Sequence, residues 1–352
     1  MRSAGCTLGG TAMATLRNVG LAAVLSVGAI GALPSAAGAS AERPAGGDDR
    51  RPESVALLDI SSAAHDINDH GVVVGSFLPE GASEGHAFRR SPDGRVADLG
   101  PGVAEAVNEA GVVVGWRSDA AGTHAIRWGR NGVAHDLGMP GSSWATDIND
   151  RGTVVGYSAA SGSPIAGFVI EADGDVEDLS APSGLEGSDI WPSAVNDRDE
   201  IVGVAQTDDG LGRLRPVLWS GRNHVATELP GRRELYDVSD INNRGAVVGS
   251  TTDPDYLAVT WQGRRHRETD VGEPGAPAWG RAINDEGRVA GVQLGTGKVF
   301  VWYPRTGRTT VFDGLSDEPY TWDEPSAINS RGDIVGYSTG SDGETRATLW
   351  RS

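Results

Sequence analysis

Five aromatic residues stand at similar distances ahead of a recurring asparagine. Trp144, Trp191 and Trp279 lie five residues before Asn149, Asn196 and Asn284, Tyr236 lies six before Asn242, and Trp322 lies seven before Asn329. Acidic residues are close by in sequence: Asp189, Asp237, Asp317, Asp323 and Glu324. Indole and phenol rings stack on sugar faces while carboxylates bond sugar hydroxyls. The same residue types anchor protein partners, because Trp and Tyr are enriched among interface hot spots. They can also simply cap an apolar gap between repeats. The residues alone leave all three readings open.

Other chemistry is weaker. Asp66, Asp147 and Asp240 occupy one repeat position where the other four copies carry Ala. They could line a channel and attract a cation, or bond local backbone or an arginine. A hydrolase or lyase would need paired carboxylates at a catalytic separation, and no spacing in the chain specifies such a pair. Neither a nucleophile elbow nor a phosphate-cradling loop occurs. The seven histidines (His65, His70, His86, His124, His135, His224, His266) form no metal-ligand spacing. Asp66-Ile67-Asn68-Asp69 lacks the ligand spacing of a calcium loop. No metal and no cofactor is expected.

These residues must be positioned by a repeat. Asn68, Asn108, Asn149, Asn196, Asn242, Asn284 and Asn329 each sit in a small-polar-aliphatic-Asn-x-x-Gly-x-aliphatic-aliphatic-Gly pattern, at spacings of 40 to 47 residues. Such periods belong to closed β-repeat architectures. In the second copy, Ala104–Asn108, Val112–Trp116, Thr123–Trp128 and Val133–Leu137 read as four short strands, A to D. Four strands with turn chemistry between them make a propeller blade. Asn opens the A–B turn, and the residue three later takes a left-handed conformation that suits glycine. Six copies have Gly there; Asp199 is the exception and tolerates that conformation. Adjacent aliphatics in strand B, such as Val154-Val155, point to opposite faces and predict burial on both. Small residues at Ala64, Ala104, Ala145 and Gly280 place strand A innermost. Trp128, Trp219, Trp261, Trp302 and Trp350, in register at the end of strand C, are expected as wedges between blades.

The phase of the repeats predicts closure. Val55–Ile60 matches strand D of other copies, and the last copy stops after strand C at Trp350. The expected fold is therefore all-β: a seven-bladed β-propeller over 55–352, closed by an N-terminal strand that completes the last blade and removes exposed edges.

Residues 1–41 read as a secretory signal peptide: Arg2 and Arg17 precede an apolar stretch, Val19–Leu33, and small residues around Ala39 suit a peptidase. Met13 is an alternative start. Removal of this leader takes away Cys6, the only cysteine, so no disulfide is expected. Residues 42–54 are rich in Pro, Gly and charge and read as a flexible spacer. The formal net charge is −18, and loss of the leader makes it more negative. That excludes phosphate-driven nucleic-acid binding. A secreted, extracellular monomer with no membrane attachment after processing is expected.

The Ile-Asn-x-x-Gly-x-Val-Val-Gly core, His86-Ala87-Phe88 and Asp98-Leu99-Gly100 resemble the extracellular HAF-repeat family of secreted bacterial repeat proteins. The resemblance spans residues 55–352, although the His-Ala-Phe triplet is intact once and nearly so at His124-Ala125-Ile126. It implies export and a β-rich repeat fold, and it transfers no active site. The D–A loops vary most in length, and variable loops on a rigid scaffold are where binding sits. The expected function is a non-catalytic binding or scaffolding module whose glycan or protein ligand meets the channel mouth formed by the B–C and D–A loops. A propeller glycoside hydrolase or lyase at the same mouth is the alternative.

Overall fold

The Asn-x-x-Gly turn sets each A–B hairpin, and its side chain does more than open the turn. In a computed structural model, which describes residues 53–207, 212–231, 235–252, 256–263, 265–316 and 321–351 and all their side chains except that of Tyr236, every repeat asparagine is at least 95 % buried. Its Oδ1 accepts the N–H four residues on, as from Thr153 to Asn149 at 2.9 Å. Its Nδ2 donates to the backbone carbonyl of the next blade's asparagine. The relay runs Asn68 to Asn108 to Asn149 to Asn196 to Asn242 to Asn284 to Asn329 and returns from Asn329 to Asn68 at 3.3 Å. One residue type thus satisfies the turn and ties seven turns into a ring, leaving no buried amide unpaired.

Seven four-stranded antiparallel sheets follow from these hairpins. The innermost strands are Ser62–Ile67, Val103–Val107, Ser142–Ile148, Asp189–Val195, Leu235–Ile241, Ala278–Ile283 and Asp323–Ile328, numbered here as blades 1 to 7. Each touches the next, and the seventh touches the first, so the ring is closed. The seventh sheet holds Asp323–Ile328, Ile334–Thr339 and Thr345–Arg351, with Glu53–Ala56 as its outer strand. Glu53 pairs with Arg351 and Ala56 with Thr348. The expected strand exchange is therefore present. It runs Glu53–Ala56 where Val55–Ile60 was expected: Glu53 and Ser54 find antiparallel partners in Arg351 and Trp350, and pairing ends at Ala56, so the strand starts two residues earlier and stops four residues earlier than expected. The leader and residues 42–52 of the expected spacer lie outside the described residues.

The core is distributed between blades. Strand-B aliphatics such as Val73, Val113, Val155 and Ile334 are at most 1 % exposed, as expected for strands sandwiched on both faces. Trp128, Trp219, Trp261 and Trp350 are likewise at most 1 % exposed. Each indole N–H donates across the gap to a carbonyl of the preceding blade: Leu99, Ser180, Pro230 and Asp313 respectively. Trp302 departs from the expectation. It is half-buried against the Val248–Val289 cluster and makes no such latch among the described residues. Asp199 adopts φ 57° as expected. Its carboxylate also accepts from Asn149, Thr153 and Arg151 of the preceding blade, a role glycine could not fill.

Candidate functional site

A glycine in strand B shapes the channel wall. Each repeat carries Gly75, Gly115, Gly156, Gly203, Gly249, Gly291 or Gly336 seven residues after its asparagine. A Cβ there would come within 2.4 Å of the carbonyl oxygen of Ala63, Val103, Trp144, Trp191, Asp237, Trp279 or Glu324. Each A strand holds a β-bulge just beyond that carbonyl. A bulge re-aims one side chain. The re-aimed residues are His65, Glu105, Thr146, Ser193, Ser239, Arg281 and Ser326. All are half-buried, while the residue before each is buried. They form a polar collar around the channel, beside the mouth where the D–A loops deliver strand A.

Two groups occupy this mouth. On blades 1 to 4, His65 Nδ1 lies 2.9 Å from Glu105 Oε2, and Trp116 Nε1 donates to Glu105 Oε1 at 2.8 Å. Tyr157 stacks on Trp144 (centroids 5.0 Å, 18° between planes) and meets Trp191 at 4.8 Å. Tyr157 is 7 % exposed. Burial first, and then the Glu105 carboxylate, push its phenol upward, so it stays protonated. On blades 5 to 7, Arg281 bridges Asp237 at 2.7 Å and Glu324 at 2.5 Å and lies 5.0 Å over the Trp279 ring. Trp279 meets Trp322 edge-on at 6.2 Å, and Trp322 Nε1 donates to Glu324 Oε2 at 2.6 Å. Burial raises Asp237, against the pull of Arg281.

The expected aromatic residues therefore fall into two clusters. Trp144 joins Trp191, and Trp279 joins Trp322; all four are half-buried. The side chain of Tyr236 and residue Asp317 lie outside the described residues. The neighbouring acids are largely committed to structure. Asp189 accepts from Ile165 N at 2.7 Å, and Asp323, 3 % exposed, accepts from Ser338. Sequence reasoning missed His65, Glu105, Trp116 and Tyr157. Two signals were there: a polar residue three before every asparagine, and an aromatic residue eight after it in Trp116, Tyr157 and Tyr337.

Deeper in the channel, Asp66, Asp147 and Asp240 are spent on backbone. Each carboxylate accepts its own next N–H and one from the following blade: Val107, Val195 and Ile283 at 2.7 to 2.8 Å. Burial raises all three, and mutual repulsion adds to Asp66 and Asp147, reaching about 6 for Asp66, about 8 for Asp147 and about 6 for Asp240. They staple alternate blades. Among the described residues, no group of His, Cys, Asp and Glu side chains converges to hold a metal ion, and no helix is long and apolar enough to cross a membrane.

By sequence the chain matches no family model and no curated protein. By fold it is similar to virginiamycin B lyase from Staphylococcus aureus at 13 % identity, with a TM-score of 0.57 over 86 % of this chain and 99 % of that one. It is also similar to the β-propeller domain of the Trilobed protease from Pyrococcus furiosus, at 10 % identity and TM-score 0.59, over 83 % of this chain and 96 % of that one. Acylaminoacyl peptidase from Pyrococcus horikoshii aligns at 11 % identity and TM-score 0.57, over 82 % of this chain and 51 % of that one. At these identities the likeness concerns the fold. The Pyrococcus furiosus domain is described as an open velcro topology, whereas here Glu53–Ala56 closes the seventh blade.

Proposed function

We propose that the protein is a secreted, monomeric binding or scaffolding propeller that takes an extracellular glycan or protein ligand at the mouth formed by the B–C and D–A loops. One observation carries this reading. Trp144 and Trp191 stay half-buried with Tyr157 packed between them, while four of the five strand-C tryptophans are sealed between blades. The negative charge of the chain disfavours anionic partners. The test is a glycan and extracellular-protein array, followed by Trp144→Ala/Trp191→Ala. Loss of binding with the melting temperature held within a few degrees supports the reading. Unchanged binding by the double variant overturns it.

A catalytic use of the mouth is the second reading, and the His65–Glu105 pair favours it. A carboxylate holding one imidazole nitrogen leaves the other to act as a base. Incubating each array hit with the protein and looking for a cleaved product separates the two readings.

A further inference from the structure

The two halves of the mouth differ in what their polar atoms are doing. On blades 5 to 7 Arg281 engages Asp237 and Glu324, and Trp322 engages Glu324, although Asp237 Oδ1 is buried without a hydrogen-bond partner among the described residues. Three blades are tied through one guanidinium, which makes a clasp. On blades 1 to 4, two polar atoms are left over. His65 Nδ1 is held by Glu105, but Nε2 has no protein partner among the described residues and is not sealed from water. Tyr157 is more than nine-tenths buried, yet its hydroxyl also has no protein partner among the described residues and reaches water. The ring is packed while its polar tip stays open to water, so a ligand hydroxyl can take the place of that water.

The two atoms complement each other. Glu105 accepts at Nδ1, which places a proton on that nitrogen, and in the tautomer so defined Nε2 is an acceptor. The Tyr157 hydroxyl is a donor. His65 and Glu105 meet across blades 1 and 2, and Tyr157 stands on the adjoining blade 3, paired with Trp144 on the strand next to that of Glu105. Beside them runs the ring surface of Trp144, Tyr157 and Trp191. An acceptor and a donor near the half-buried rings of Trp144 and Trp191 suit a pyranose, which presents an apolar C–H face and hydroxyls at its rim. Glu105 and the overall charge of −18 oppose a carboxylated or sulfated sugar.

We propose that blades 1 to 4 form a subsite for a neutral glycan, in which a sugar ring stacks on Trp144 and Trp191 while His65 Nε2 accepts from one hydroxyl and Tyr157 Oη donates to another; blades 5 to 7 are the structural clasp. This rests on the binding function proposed above and narrows it from glycan or protein to uncharged glycan.

The test is calorimetric titration of the full chain with cellotetraose, xylotetraose and chitotetraose as neutral probes, tetragalacturonate as an anionic one, and tetralysine as a peptide one. At least one neutral probe binds, and tetragalacturonate binds at least tenfold more weakly. His65→Gln keeps a donor to Glu105 and removes the second ring nitrogen. Tyr157→Phe keeps the stack and removes the hydroxyl. Each weakens the neutral probe three- to tenfold, as loss of one hydrogen bond requires, at unchanged melting temperature. Tyr337→Phe, on the clasp side, leaves affinity unchanged. A neutral probe that needs Trp144 and Trp191 but is indifferent to both His65→Gln and Tyr157→Phe overturns the subsite and spares the binding function. Binding of tetralysine or tetragalacturonate in preference to every neutral probe, or no binding of any neutral probe at millimolar concentration, overturns the neutral-glycan assignment.

Discussion

Replacing Asn149 by Asp separates the two jobs of the asparagine ring. Aspartate forms the same side-chain turn as asparagine, so a residue that only shapes the A–B turn tolerates the change. In the ring it does not. Asn149 Nδ2 donates to Asn196 O and to Asp199 Oδ1, both at 2.9 Å, at a site 4 % exposed. A carboxylate there keeps the acceptor for Thr153 N but loses the donor. It leaves a buried carbonyl unpaired, about 1–3 kcal/mol, and sets a second negative group against Asp199. Uncompensated buried charge costs about 3–5 kcal/mol, so the variant should lose about 3–5 kcal/mol at neutral pH, with the charge dominating. The sign of its pH dependence follows. Burial and Asp199 raise the new carboxyl in the folded state above its unfolded value, so its stability returns as pH falls, when an O–H can again donate to Asn196 O. Asn149→Ala loses a similar amount with no such recovery. Denaturant titrations of parent, Asn149→Asp and Asn149→Ala at pH 7.5 and 4.5 decide it. Asn149→Asp within 0.5 kcal/mol of the parent at pH 7.5, or two variants with the same pH response, would refute the ring as an energetic feature.

Deleting residues 53–57 should expose the edge of Thr345–Arg351, lowering the melting temperature and promoting aggregation; a truncated chain that melts like the parent and sediments as a monomer would contradict closure by strand exchange. Gly156→Ala places a Cβ 2.1 Å from Trp144 O and 2.6 Å from Phe168 Cζ, and overpacking of this kind should cost about 3 kcal/mol in denaturant titration. Asp199→Gly relieves a left-handed φ of 57° but strips the partners of Arg151, Asn149 and Thr153, so the same titration should show a net loss, where a turn residue alone would show a gain. Asp66, Asp147 and Asp240 are raised in the folded state to about 6, about 8 and about 6. Their contribution is therefore fully present below about pH 4 and is lost as pH rises through 6 to 8; the denaturation midpoint should fall over that range, and Asp147→Ala, the residue four other blades carry, should flatten the fall.

Sequence by itself determined the architecture, because the physics that selects it is local. Asn opens a turn, Gly or Asp199 permits φ > 0, and adjacent aliphatics require burial on both faces. The phase of seven copies then leaves one strand to be shared between the chain's two ends. None of this depends on which blade touches which side chain. The mouth is different. Its aromatic residues were legible as a repeated offset, but not their division into a stack of Trp144, Tyr157 and Trp191 and a clasp around Arg281. His65 and Glu105 lie one repeat apart and meet only because closure sets neighbouring bulges side by side. The strand-B glycines showed as a motif, yet their reason, a carbonyl where a Cβ would sit, exists only once strands A and B are paired. Tertiary structure alone decides which polar atoms are used up between blades and which are left facing water, since that depends on distances across gaps that no single repeat encodes.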